Sequence, residues 1–191
     1  MDDIVTPRLR LCLMSDAFLE ASLNGEIARA EALLEAKIPA EWFQKRDHMM
    51  MRLGDRRRDP AYFPWSVRAM VARPAGEGSA DVAVGYTGFH SRPDPEYLKP
   101  FTPRGVELGY TVFSEYRRQG FAEEAVRGML RWAAERDGVA HFVVSIAPSN
   151  VASNALAAKL GFVKVGTHQD PIDGLEDVFV LPGEALSRLV G

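Results

Sequence analysis

The sequence predicts an α+β fold on a mixed sheet, antiparallel at first and ending in a parallel strand–helix–strand crossover. Three β-rich stretches, 65–72, 82–90 and 105–113, follow one another with no helical pattern between them. That order favours antiparallel pairing over a doubly wound parallel sheet. An amphipathic pattern over 120–136 then leads into an almost continuous apolar run at 141–147, as expected of a helix followed by a strand covered on both faces. The chain has 191 residues, 47% hydrophobic and 26% charged. That suits one domain at about 100–200 residues each.

The elements follow in order. Leu9 to Met14 begins with apolar/polar alternation and reads as a first strand. Asp16 opens a helical pattern with Ser15 as N-cap, and residues 26–36 continue it. Pro39 is placed to start a further helix carrying Trp42, Phe43, Met49, Met50 and Leu53, packing residues of that helix; Gly54 and the run Asp55–Pro60 end it. Arg56–Arg58 reads as a solvated run. The first two β stretches are joined by the polar hairpin-type turn Pro74–Ser79. Residues 91–104 hold four prolines and form a loop. Ala122, Ala125, Val126, Met129, Leu130 and Ala133 make the stripe of the long helix, which Asp137-Gly138 closes. A short helix over 151–160 ends at Gly161. Strands at 162–167 and 178–181 flank an acidic loop with Asp170, Asp173, Glu176 and Asp177. Residues 183–190 form a last helical turn.

Composition excludes several function classes. A net charge of −3 leaves no electrostatic footprint for nucleic-acid binding. The lone Cys12 makes no internal disulfide and gives no zinc spacing; it reads as core. His48, His90, His141 and His168 are scattered without metal-ligand spacing, so no metal is expected. The N-terminus Met1-Asp2-Asp3 is acidic with no apolar region after it, and no apolar run approaches the ~20 residues that cross a bilayer. These features predict a soluble, cytoplasmic protein with no membrane partner. A homodimer is the default expectation.

The most informative stretch is Tyr116-Arg117-Arg118-Gln119-Gly120-Phe121-Ala122, between a strand and the long helix. First-turn amides of a helix have no internal acceptor and attract anions. Gly120 and Ala122 leave room for close approach, and Arg117 and Arg118 add charge. Alone, the segment fits either a phosphate seat or a solvated strand-to-helix turn. The dinucleotide pattern G-x-G-x-x-G and the P-loop pattern are both absent.

Its neighbours sharpen the reading. Val106-Glu107-Leu108-Gly109-Tyr110-Thr111-Val112-Phe113 runs into Arg117-x-x-Gly120-x-Ala122, followed by Pro148-x-Asn150-x-x-Ser153 and Lys159-Leu160-Gly161-Phe162. This series resembles the GNAT superfamily of acetyl-CoA-dependent N-acetyltransferases. With the opening Thr6-Pro7-Arg8-Leu9-Arg10-Leu11, it is similar to the RimJ/RimL-like branch, which acetylates ribosomal-protein N-termini and related amines. The resemblance covers a single domain over 6–182, leaving 183–191 as a C-terminal tail. It implies a GNAT-like α+β fold: a mixed, mostly antiparallel central sheet with a splayed parallel strand pair and helices on both faces. It further implies that acetyl-CoA is the co-substrate. Its pantetheine arm would bond the main chain around Tyr110 and Val112. Its pyrophosphate would sit on the amides of Arg118, Gln119, Gly120, Phe121 and Ala122 beside Arg117, with Asn150 contacting the arm.

Acetyl transfer needs a neutral amine, a donor to the developing oxyanion and a proton for the departing thiolate. Glu107 is the candidate base by the resemblance; its bland alternative is a strand glutamate facing solvent or paired with an arginine. The acceptor decides how much a base matters. An α-ammonium titrates roughly 2.5 units below a lysine, a difference of about 3.5 kcal/mol. Many family members carry a tyrosine four residues before the Gly-Phe pair, where this chain has Ala157. Ser153 is then the candidate donor to sulfur, or else a first-turn serine bonded to backbone. Lys159 reads as a solvated helix residue. The expected function is acetyl transfer to a protein N-terminal α-amino group or a small-molecule amine, by direct attack in a ternary complex. The alternative is a non-catalytic acyl-CoA-binding or sensor module, suggested by Ala157.

Overall fold

A computed structural model describes residues 3–73, 80–170 and 174–190. Its contacts divide into two compact units, Met1–Gly88 with Tyr110–Gly128, and Phe89–Gly109 with Met129–Gly191. Across the chain the strands pair mostly antiparallel, with one parallel pair, and helices flank them.

In the first unit, β1 (Ile4–Val5), β2 (Leu9–Leu13), β3 (Arg68–Ala72) and β4 (Val82–Phe89) pair antiparallel in sequence order. Ser15 caps α1 (Asp16–Leu23) by accepting from Phe18 N. The helical stretch expected to continue over 26–36 is a separate helix, α2 (Ile27–Leu34), because the chain turns at Gly25 with φ +72°. Pro39 caps α3, which is only Ala40–Phe43, and α4 (Arg46–Arg58) follows. Trp42 packs with Phe18, Met49, Tyr86 and Phe113 in the core of this unit. Its indole N–H donates to Ser22 Oγ at 2.9 Å.

Two expectations change here. Gly54 does not end α4, which runs on to Arg58. Nor is the arginine run uniformly solvated: Arg57 and Arg58 are exposed, but Arg56 is buried. Arg56 lies one turn from buried Arg52 on the same helix face, donates to Ser66 Oγ at 2.9 Å and pairs with Asp16 at 2.8 Å. The stretch after it is a 3-10 turn, Pro60–Trp65, and β3 starts only at Arg68. The Pro74–Ser79 turn lies outside the described residues.

β5 (Gly105–Val112) and α5 (Phe121–Asp137) each begin in one unit and finish in the other. In the second unit β5 pairs parallel with β6 (His141–Ile146). After α6 (Val151–Leu160), β7 (Val163–Asp170) and β8 (Gly174–Leu181) form a hairpin whose β8 pairs antiparallel with β6. Asp170, Glu176 and Asp177 therefore lie on strands and not in a long acidic loop; Asp173 lies outside the described residues. Asp177 is ion-paired with Lys164 at 2.6 Å, which explains an acid on a strand. The last helical stretch is α7, Gly183–Val190. Phe142, Val143, Leu98 and Val178 are buried in this unit, and Phe89 packs on Phe142 with ring centroids 6.3 Å apart.

The thiol of Cys12 is buried, and burial is the main cause pushing it up to about 12. It is a core residue.

Candidate active site

In the first unit, β5 ends at Val112 and Phe113 N donates to Val84 O at 2.9 Å. A 3-10 turn, Ser114–Tyr116, leads into Arg117, whose Nε donates back to Val112 O at 3.1 Å. The chain then takes left-handed backbone at Arg118 (φ +63°) and Gly120 (φ +81°) before α5 begins at Phe121. An arginine in that region costs about 1–2 kcal/mol, a strain of the kind that accumulates where backbone is shaped around a ligand. The result is an exposed, arginine-rich turn set directly on the first-turn amides of a 17-residue helix. Such amides lack intrahelical acceptors, so the segment fits a diphosphate. Tyr110 and Val112, the two strand positions implied for the pantetheine arm, are half-buried.

The first turn of α5 also carries two acids, Glu123 and Glu124. Both are tied back. Glu123 pairs with Arg127 at 3.2 Å. Glu124 accepts from Thr6 Oγ1 at 2.6 Å, from Arg8 N at 2.7 Å and from Arg8 Nε at 2.7 Å. Burial pushes the Glu124 carboxyl up, but these donors outweigh it and hold it below the usual carboxylate range. Arg8 also donates from Nη1 to Gln119 O at 2.9 Å and lies over the Phe121 ring, 4.8 Å from its centroid. Thr6 and Arg8 thus clasp the loop and the start of α5 from 111 or more residues away in sequence. Sequence reasoning gave them no role beyond the family-like opening, since no local pattern reports so distant a contact.

In the second unit, the parallel pairing of β5 with β6 runs from Gly105↔His141 to Glu107↔Val143, while both strands continue beyond it. Glu107 sits where the pairing stops. It is neither solvent-facing nor paired with an arginine: its side chain is 8% exposed and Oε2 lies 3.4 Å from His90 Nδ1. Burial pushes its carboxyl up; hydrogen bonds from His90, Ser145 and Tyr97 and the charge of His90 outweigh that and hold it at about 2. The main chain is locked as well, His90 N donating to Glu107 O at 2.9 Å. In sequence His90 is one of four scattered histidines, and its partner is invisible there because the two are 17 positions apart on different segments.

Asn150 and Ser153 are brought together at the start of α6. Asn150 is the N-cap, its Oδ1 accepting from Ser153 N at 3.2 Å. Ser153 is half-buried and Asn150 exposed. Ala157 is buried on the same helix and Lys159 is exposed. Among the described residues no group of His, Cys, Asp and Glu could hold a metal ion, and no helix is long and apolar enough to cross a membrane.

Comparison with known proteins meets this geometry. An uncharacterized N-acetyltransferase of Bacillus subtilis, YjdG, is 30% identical over 80 residues, 42% of this chain and 44% of that protein. The chain spans less than half the length of the curated relatives it matches. A Bordetella pertussis protein assigned to the GnaT acetyltransferase family has the same fold at TM-score 0.66 and 22% identity, over 95% of this chain and 99% of that one. A Vibrio cholerae protein assigned as a ribosomal-protein-serine acetyltransferase shares the fold at TM-score 0.61 and 18% identity, over 95% and 99% of the two chains. The acetyltransferase (GNAT) domain matches residues 13–163, a span that holds β5, the 117–122 turn and α6. With that match over most of its length, the chain belongs to the GNAT acetyltransferase family.

Proposed function

We propose that the protein transfers an acetyl group from acetyl-CoA to a primary amine by direct attack in a ternary complex. The acceptor is a protein N-terminal α-amino group, as in RimJ/RimL-like relatives, or a small-molecule amine. The observation that carries the reading is the 117–122 turn: left-handed Arg118 and Gly120, first-turn amides, and both nearby acids already paired. In this reading those amides with Arg117 and Arg118 hold the pyrophosphate. The main chain around Tyr110 and Val112 holds the pantetheine arm, Asn150 contacts it, and Ser153 donates a proton to the leaving sulfur. Acetyl-CoA supplies the activated acyl group. The protein supplies orientation and donors for developing charge, and Glu107 assists removal of the amine's proton.

The amine attacks as the neutral base. Its nitrogen bonds to the thioester carbon, the C–S bond breaks, the amine sheds a proton and the thiolate takes one up. The products are an acetamide and free CoA. No metal is proposed, and neither a nucleic acid nor a membrane is proposed as partner; a cytoplasmic location is proposed, with a homodimer as the default oligomeric expectation.

Thiol release from acetyl-CoA, followed across peptide N-termini, polyamines and aminoglycosides, tests the reading. Turnover that depends on one acceptor class supports it. Tight acetyl-CoA binding without turnover on any amine would favour the acyl-CoA-binding module instead.

A further inference from the structure

We propose that His90 is a catalytic base, its Nε2 taking the proton shed by the attacking amine, and that Glu107 is the positioning carboxylate that fixes its tautomer. The inference rests on the acetyl-transfer reading and identifies the accepting atom within it.

The two residues differ in access. The Glu107 side chain is 8% exposed and that of His90 is 44% exposed. Glu107 already accepts from His90, Ser145 and Tyr97, so its oxygens are committed to protein donors. Those hydrogen bonds hold its carboxyl low, which makes it a weak proton acceptor.

Orientation points the same way. With Nδ1 turned to Glu107 at 3.4 Å, the proton of the neutral ring sits on Nδ1, and Nε2 carries the lone pair. That nitrogen lies against β5 at Gly109: a Cβ built there would fall 2.5 Å from Nε2. Only glycine leaves room for the ring, and the next residue is Tyr110, at the proposed seat of the pantetheine arm. The buried carboxylate stabilises the imidazolium once it forms. Tyr97 is a further titratable side chain that hydrogen-bonds the Glu107 carboxylate. In the transfer step, the N–C bond forms as the C–S bond breaks. The amine's proton moves to His90 Nε2, and the thiolate leaves with the bonding pair and is protonated to CoASH.

His90→Asn keeps an N–H donor near the Nδ1 position but removes the basic nitrogen. The expected result is a kcat lower by about 10²–10⁴-fold, with acetyl-CoA affinity unchanged and partial recovery by added imidazole. In Glu107→Gln, kcat falls with an unchanged KM for acetyl-CoA, and imidazole restores nothing. Nitrogen-15 NMR of histidine-labelled wild type is expected to show His90 as the Nδ1–H tautomer. In Glu107→Gln, whose amide both donates and accepts, a mixture is expected. Wild-type kcat in His90→Asn, or an Nε2–H tautomer in the wild type, would overturn the proposal while leaving acetyl transfer standing. A wild type that neither binds nor turns over acetyl-CoA would instead overturn the functional reading, and the base assignment with it.

Discussion

Arg8→Met tests the clasp on the 117–122 turn. The substitution keeps an apolar chain over Phe121 but removes the Nε bond to Glu124 (2.7 Å) and the Nη1 bond to Gln119 O (2.9 Å). Glu124 keeps Thr6 Oγ1 and the Arg8 backbone N–H, so its charge is not orphaned. A hydrogen bond to a charged group contributes about 1.5–3 kcal/mol. The Arg8 side chain is 48% exposed, so solvent screening reduces the net cost to about 1–2 kcal/mol. That corresponds to a melting point lower by about 2–8 °C for a chain of this size. The same clasp fixes Gln119 and Phe121, so the diphosphate seat loosens. Affinity for CoA is expected to fall about tenfold, equivalent to about 1.4 kcal/mol. Affinity for pantetheine, which lacks the diphosphate, is expected to stay constant. Calorimetric titration of both ligands reads this directly. Unchanged CoA affinity together with the lower melting point would refute the link between Arg8 and the phosphate seat, leaving Arg8 as a fold clamp only.

Further predictions concern the same elements. Gly120→Glu should abolish acetyl-CoA binding with the circular dichroism spectrum intact, since a negative side chain enters a turn at φ +81°; unchanged affinity would remove the phosphate assignment. Gly109→Ala should displace the His90 ring, because the new Cβ falls 2.5 Å from Nε2. Lower kcat with constant acetyl-CoA affinity is expected, and steady-state kinetics check it. Glu107 is held at about 2 against an ordinary 4.5, so its ionised form adds to the stability of the fold. Because the folded value is depressed, that contribution is complete above about 4.5 and fades as pH falls through about 2. Urea unfolding of wild type and Glu107→Gln from pH 7 downward should show a stability gap that closes in that window.

Much of this was legible in sequence because the signals were local. The helix over 121–137, the cap at Ser15 and the α6 boundaries at Val151 and Gly161 all follow from periodicity and capping residues. The hairpin of β7 and β8 was underestimated because charged residues such as Asp177 and Lys164 suit a strand once they pair across it. Arg56 looked solvated because composition cannot report that its helix face meets Asp16 and Ser66. In the site, Gly120 and the arginines stood out as one contiguous turn. Arg8 and His90 did not, since each acquires its role from a residue on another segment.

The measurement that tests the central claim most directly is acetyl-CoA turnover by the purified wild type against a panel of amines. CoA thiol is followed in time and the acceptor is weighed by mass spectrometry. Stoichiometric CoA release and an acetylated amine are expected for at least one acceptor class, and both are lost in Gly120→Glu. Release of CoA with no acetylated amine, or turnover unaffected by Gly120→Glu, would contradict it.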